Sequence, residues 1–118
     1  MGLAFKPGTD DLRDAPALDI IRELLAEGAE VSACDPVALR NARKAFEGVA
    51  NISFCEDPYE AALGADAVVL ATEWPQWANI DFGRLRQQVR NALFFDGRNF
   101  FNPDEVFKSG FQYLGVGR

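Results

Sequence analysis

Six short runs of β-like residues recur along the chain, and every gap between them carries a helical pattern. The runs cover residues 2–5, 30–34, 52–54, 67–71, 93–95 and 112–116. Strict alternation of strand and helix predicts an α/β fold: a Rossmann-like, doubly wound, mostly parallel six-stranded sheet with helices on both faces. The run at 67–71 is almost wholly apolar, as expected of a central parallel strand buried on both sides.

The helix signals agree with this reading. Pro16 suits a first helical turn, Ile20, Ile21, Leu24 and Leu25 form an apolar face, and Gly28 ends it. Asp35-Pro36 opens a second helix with the stripe Leu39, Ala42 and Phe46, stopped by Gly48. Asp57-Pro58 starts a short third one. Asp81 can cap a helix that turns Phe82, Leu85 and Val89 inward, and Asn102-Pro103 opens the last. The first β-like run is brief for a central strand, which normally has ~5–6 residues. It begins at Met1, so the chain reads as a piece of a longer protein, one domain over residues 1–118.

Composition narrows the function. The net charge of −6 argues against nucleic acid or an anionic membrane as partner, because phosphate polymers need a basic face. No apolar run approaches the length of a membrane span, and no signal peptide is visible. With no histidine, the commonest general base is absent. Cys34 and Cys55 form no CxxC pair, and both read as small hydrophobes in a reducing cytosol.

In an open α/β sheet, ligands bind beyond the carboxyl ends of the strands, at the point where strand order reverses. With the common order 3-2-1-4-5-6, three polar segments meet there. They are Lys6 to Arg13 after the first strand, Thr72 to Trp77 after the fourth, and Asp96 to Asn99 after the fifth. No Gly-x-Gly-x-x-Gly turn follows the first strand. A diphosphate would have to be gripped by side chains, and Lys6 and Arg98 are best placed. Solvated ends, or ion pairs with Asp10, Asp11 or Asp96, account for these bases equally well by spacing. Arg13 lies seven residues past Lys6, a reach of at most ~25 Å, so the two bases can serve different groups. Asp10, Asp11 and Asp14 fit no calcium loop. They read instead as ligands of loop amides and partners of Arg13. Trp74 and Trp77 can stack on a base or pack a helix against the sheet. Glu73 can orient a ligand hydroxyl or cap a loop. Asp35 stands where a ribose-binding acid would, although Pro36 after it favours a helix cap.

Taken together, "GLAFKPGTDDLRDAP", "ATEW", "FFDGRN" and the closing "GFQYLGVGR" resemble the C-terminal, UDP-binding domain of UDP-glucose 6-dehydrogenases, within the UDP-glucose/GDP-mannose dehydrogenase family. "TEW" with "DGRN" favours the UDP-glucose branch. The resemblance implies that Phe5, Lys6 and Arg98 contact the nucleotide-sugar; Glu73 and Trp74, beside the crevice, are further candidates for lining the site. It implies that Arg13 reaches NAD held mainly by an N-terminal domain. The family oxidises UDP-glucose to UDP-glucuronate by two hydride transfers to NAD, using a catalytic cysteine in a glycine-rich stretch that this chain does not contain. The chain alone is therefore expected to be inactive. The resemblance further implies a cytoplasmic homo-oligomer serving polysaccharide biosynthesis, with the N-terminal NAD domain as partner. A non-catalytic nucleotide-binding or structural interface domain, or a related UDP-sugar dehydrogenase, are the other readings. Ala15 stands where relatives often have serine, which leaves Asp14 as the expected helix cap.

Overall fold

The computed structural model describes residues 1–117. In chain order the elements are α1 (Pro16–Ala26), β1 (Val31–Ala33), α2 (Leu39–Ala45), β2 (Ile52–Phe54), α3 (Pro58–Ala61) and β3 (Val68–Leu70). A 3-10 turn (Pro75–Asn79), α4 (Phe82–Gln88), β4 (Leu93–Asp96), α5 (Pro103–Lys108) and β5 (Gln112–Gly115) follow. All strand pairs are parallel, so the α/β alternation holds.

The six-stranded sheet does not form. Five strands divide into two sheets, β1-β2 and β3-β4-β5. The predicted first strand is the missing one, and its backbone shows why. The Met1 ammonium donates to the Val69 carbonyl at 2.8 Å, and the Ala71 amide donates to the Met1 carbonyl at 2.9 Å. The Gly2 amide donates to the Cys34 carbonyl at 2.8 Å. Residues 1–2 thus lie between β1 and β3, where the order 3-2-1-4-5-6 puts the first strand. Gly2 then takes φ +86°, and the extended path ends there. A Cβ at Gly2 would stand 2.6 Å from the Thr72 backbone, so only glycine fits this turn. The amides of Leu3 and Ala4 go to the Asp35 carboxylate instead of to a ladder.

Right-handed crossovers fix the layers. The path from residues 1–4 through α1 to β1 and β2 runs one way across the fold, and β2 to β3, β4 and β5 runs back. That places α1 and α2 on one face and α3, α4 and α5 on the other. On the second face Phe94 is fully buried among Phe82, Phe101 and Phe111, with Leu70, Leu85 and Val106 beside them. The rings meet edge to face, as at Phe82 and Phe101 (4.9 Å, 84°), the arrangement their quadrupoles favour. Asp57, Asp81 and Asn102 cap α3, α4 and α5 as predicted. α1 departs from expectation: its N-cap Ala15 has no side-chain cap bond, and Asp14 sits at φ 57° without taking over that work. Among the described residues no helix is long and apolar enough to cross a membrane.

Candidate functional site

Two buried aspartates organise the edge beyond the strand ends. Asp35 is 1% exposed and receives five donors. Its Oδ1 accepts the amides of Val37 (2.8 Å) and Ala38 (2.7 Å), so it does cap the approach to α2. Its Oδ2 accepts the amides of Leu3 (2.7 Å) and Ala4 (3.2 Å) and the Trp74 indole N–H (3.0 Å). One carboxylate therefore joins the start of the first polar loop, the α2 entry and the segment after β3. The Thr72 hydroxyl adds a second tie, donating to the Ala4 carbonyl at 2.6 Å.

Asp96 plays the same part at the end of β4, and it is equally buried. Its Oδ2 accepts the Phe101 amide and the Tyr113 hydroxyl, each at 2.8 Å, and its Oδ1 accepts the Arg98 amide at 3.2 Å. Gly97 passes so near β3 that its amide donates to the Leu70 carbonyl at 3.0 Å, and a Cβ would lie 2.8 Å from that oxygen. Asn99, at φ 52°, clasps Val116 through its amide and carbonyl, at 2.7 and 2.8 Å. Each residue of Asp-Gly-Arg-Asn but the arginine is thus spent on shaping the turn. Arg98 projects from it, 38% exposed, with its guanidinium paired to Glu73. An ion pair with Asp96, one of the readings that spacing left open for Arg98, gives way to this one, while Asp96 accepts donors from inside the fold.

The first loop is held more locally. The Phe5 amide donates to the Asp11 carbonyl at 2.8 Å, and the Asp11 amide donates to the Thr9 hydroxyl at 3.1 Å. Gly8 turns at φ 85°. The Asp10 carbonyl accepts the Asn41 side-chain amide at 3.0 Å, which moors the loop to α2. Phe5 and Lys6 are exposed at the tip. The Arg13 side chain is 88% exposed and forked onto Asp11, with Nε to Oδ1 at 3.0 Å and Nη2 to Oδ2 at 2.8 Å. Bonds from the Arg13 guanidinium and amide hold the Asp11 carboxyl down at about 2. Asp11 therefore does bond a loop amide and Arg13, as the sequence suggests.

The tryptophans pack. Trp74 and Trp77 are 3% and 4% exposed, and the Trp77 indole donates to the Thr72 carbonyl at 3.1 Å. Trp74 lies beneath the edge, while Glu73 beside it reaches out to Arg98. Sequence reasoning weighed Asp35 as a ribose-binding acid or a helix cap and missed its role as a five-donor junction. The separation of its donors along the chain leaves no local signal. A cavity of about 460 Å³ opens beside Arg98, lined by Pro16, Ile20, Leu70 and Phe95. Cys34 is buried and its thiol is pushed up by that burial; Cys55 is pushed up in the same way. Neither is a ready thiolate. No cluster able to hold a metal exists among the described residues.

A parallel α/β fold with bases at the carboxyl edge of its strands defines a Rossmann-like class of domain. Residues 1–103 match the UDP-glucose/GDP-mannose dehydrogenase family, UDP binding domain, and the chain belongs to that family. It is 46% identical over its whole length to the UDP-glucose 6-dehydrogenase of Rhizobium meliloti and 47% identical over 99% of its length to that of Pseudomonas aeruginosa. It spans 26% of each, so it corresponds to about a quarter of those enzymes. Among solved structures it is similar to an NDP-N-acetyl-D-galactosaminuronic acid dehydrogenase from Methanosarcina mazei, with TM-score 0.83 and 28% identity. That likeness covers 99% of this chain and 23% of the other. It is also similar to a UDP-glucose dehydrogenase from Pyrobaculum islandicum, with TM-score 0.77, 32% identity, and 97% and 23% covered.

Proposed function

We propose that this chain is the UDP-binding domain of an NAD-dependent UDP-glucose 6-dehydrogenase and that Arg98 and Lys6 carry the positive charge that holds the diphosphate. The observation that carries this reading is the Arg98 turn. Buried Asp96 and the Gly97 contact fix its backbone, so the guanidinium stands at the strand ends with little freedom to lose on binding. Its planar fork suits a phosphate, and its partner in the free domain is a partly exposed carboxylate that a dianion can displace. Phe5, exposed next to Lys6, shapes the site, Glu73 lines it, and buried Trp74 supports it from beneath.

Arg13 is assigned to the cofactor. Its exposure away from the sheet supports a role across a domain boundary, with NAD held mainly by an N-terminal domain. The only glycine in the first loop is Gly8, which does not make a dinucleotide turn. NAD would accept the hydride in the full enzyme; this chain's own part is to bind and orient the nucleotide. The full enzyme is read as a cytoplasmic homo-oligomer supplying UDP-glucuronate for polysaccharide biosynthesis. Two unpaired cysteines and the half-open apolar row of Phe95 and Leu114 support the compartment and the assembly.

A titration tests this. UDP, UDP-glucose and GDP-mannose are added separately while amide shifts or heat are followed. Uridine-selective binding that Arg98→Ala and Lys6→Ala each weaken at least tenfold is the expected result. Equal response to GDP-mannose, or no response at millimolar UDP, overturns the reading and leaves an interface domain. The chain alone, mixed with UDP-glucose and NAD, is expected to form no NADH.

A further inference from the structure

We propose that Asn99 and Tyr113 are positioning residues for Arg98, an inference that rests on reading Arg98 as the base that holds the phosphate. Through these two residues β5 sets where the guanidinium stands. β4 and β5 pair in register from Leu93↔Gln112 to Asp96↔Gly115. At the next residue the backbone of β4 leaves its neighbour, because the Gly97 amide turns to the Leu70 carbonyl on the β3 side. The Asn99 side chain then continues the pairing. Its Oδ1 accepts the Val116 amide at 2.8 Å, and its Nδ2 donates to the Val116 carbonyl at 2.7 Å. A primary amide carries a donor and an acceptor side by side, as a peptide unit does. The reach comes with a left-handed turn at Asn99, φ 52°, which asparagine adopts more readily than most residues.

Tyr113 supplies the second tie. Its hydroxyl donates to Asp96 Oδ2 at 2.8 Å, while Asp96 Oδ1 accepts the Arg98 amide at 3.2 Å. One buried carboxylate thus links β5 to the Arg98 backbone. The Tyr113 ring lies nearly parallel to that of fully buried Phe94, with centroids 6.4 Å apart and planes at 7°, which fixes where the hydroxyl points. Arg98 therefore stands between two residues, Asp96 and Asn99, that are both fastened to β5. Its guanidinium stays partly exposed, with Glu73 in front of it. The contacts in front and behind act oppositely on a ligand. Glu73 gives way to an incoming dianion. The ties to β5 remain when the ligand arrives, so the arginine does not have to be ordered at that moment. Two residues that do not touch the phosphate thus contribute to affinity through Arg98.

Two variants separate these ties from general stability. Asn99→Gly accepts the left-handed turn and deletes the clasp on Val116. Tyr113→Phe removes one hydroxyl, keeps the ring on Phe94 and changes no residue of the turn. For each, nitrogen relaxation without ligand reports the order of the Arg98 amide and Nε–H. Calorimetry reports UDP affinity, both with Arg98 present and in the Arg98→Ala background. Each variant is expected to lower the Arg98 order parameters and to weaken UDP binding about three- to tenfold, as expected for re-ordering one side chain. In the Arg98→Ala background the same changes are expected to leave the residual affinity unmoved. Equal losses in the two backgrounds mark a merely structural role and overturn the proposal, as does an Arg98 that keeps its order in either variant. If UDP does not bind the unaltered chain, the nucleotide reading falls, and the order parameters alone decide whether β5 positions Arg98. If Tyr113→Phe does not fold, Asn99→Gly alone decides.

Discussion

The turn at residues 96–99 and the loop at residues 5–14 present bases at the same edge of the fold, but they are held by different means. Asp96 sits inside its own turn and fixes the backbone of Arg98 directly. Asp35 holds the first loop only as far as Ala4; beyond that, the loop is braced by its own Thr9 and Asp11 and by one bond from Asn41. A residue pinned by a buried carboxylate is already near its bound geometry. A residue on a self-braced loop must be ordered by the ligand or by a neighbouring domain, at a cost of about 0.5–1.5 kcal/mol per side chain. Arg98 belongs to the first kind, and Lys6 and Arg13 to the second.

The largest effect should come from removing the first support. Asp35→Ala leaves five donors without an acceptor, and each buried orphan costs about 1–3 kcal/mol. A loss of about 4 kcal/mol or more, or no cooperative urea transition, is expected. Asp96→Ala removes an acceptor shared by three donors and should cost about 3 kcal/mol, while also weakening UDP binding. A smaller loss at Asp35 than at Asp96 would contradict the ranking of the two supports.

The glycines provide a second contrast. Gly97→Ala forces a Cβ to 2.8 Å from the Leu70 carbonyl, which is backbone and cannot swing aside. A cost of about 2–3 kcal/mol follows, together with a displaced Arg98. Gly8→Ala meets nothing within 4 Å, and only its positive φ opposes it, at about 1–2 kcal/mol. Paired urea curves measure the difference; equal losses would mean that the two turns are equally free.

Much of this edge was legible in the sequence because its cues are local. Asn102-Pro103 and Asp57-Pro58 name their own helix starts, and the apolar run around Val68–Leu70 marks a buried strand, although it stands at the edge of its three-stranded sheet and not at the centre of six. The loop aspartates were partly readable for the same reason, since Asp11 and Arg13 are near neighbours. Two things were not. The short first run looked like a strand, but the chain turns at Gly2 with φ +86°, packed so close to Thr72, 70 positions away in the chain, that no Cβ fits. Spacing left several partners open for Arg98, Asp96 among them, yet that carboxylate accepts from Phe101 and Tyr113, whose approach only the folded α5-β5 unit creates.

A smaller effect tests what Glu73 does to Arg98. Its carboxylate occupies the guanidinium in the free domain and would repel an incoming diphosphate. The pair is partly exposed, so Glu73→Gln should change stability by less than about 1 kcal/mol. Calorimetry with UDP should then show binding tightened a few fold. Weaker binding would instead place Glu73 on a ligand hydroxyl, making it part of the grip rather than a competitor for it.

The smallest effect belongs to the exposed Arg13–Asp11 fork. Asp11 is held at about 2, below its ordinary value near 4, because Arg13 bonds its charged form. A carboxyl depressed on folding contributes stability above its unfolded value, and that contribution fades as pH falls toward the folded one. The window is therefore pH 4 down to 2, and nothing from this pair should change near neutrality. Arg13→Ala should return the Asp11 carboxyl toward 4 in a carbon-detected titration and lower the urea midpoint slightly at pH 7, where the pair's contribution is fully present, but not at pH 2. UDP binding should stay as it was, since Arg13 is assigned to the cofactor side. A large loss of UDP affinity would move Arg13 into the nucleotide-sugar site and erase the division of labour between the two ends of the first loop.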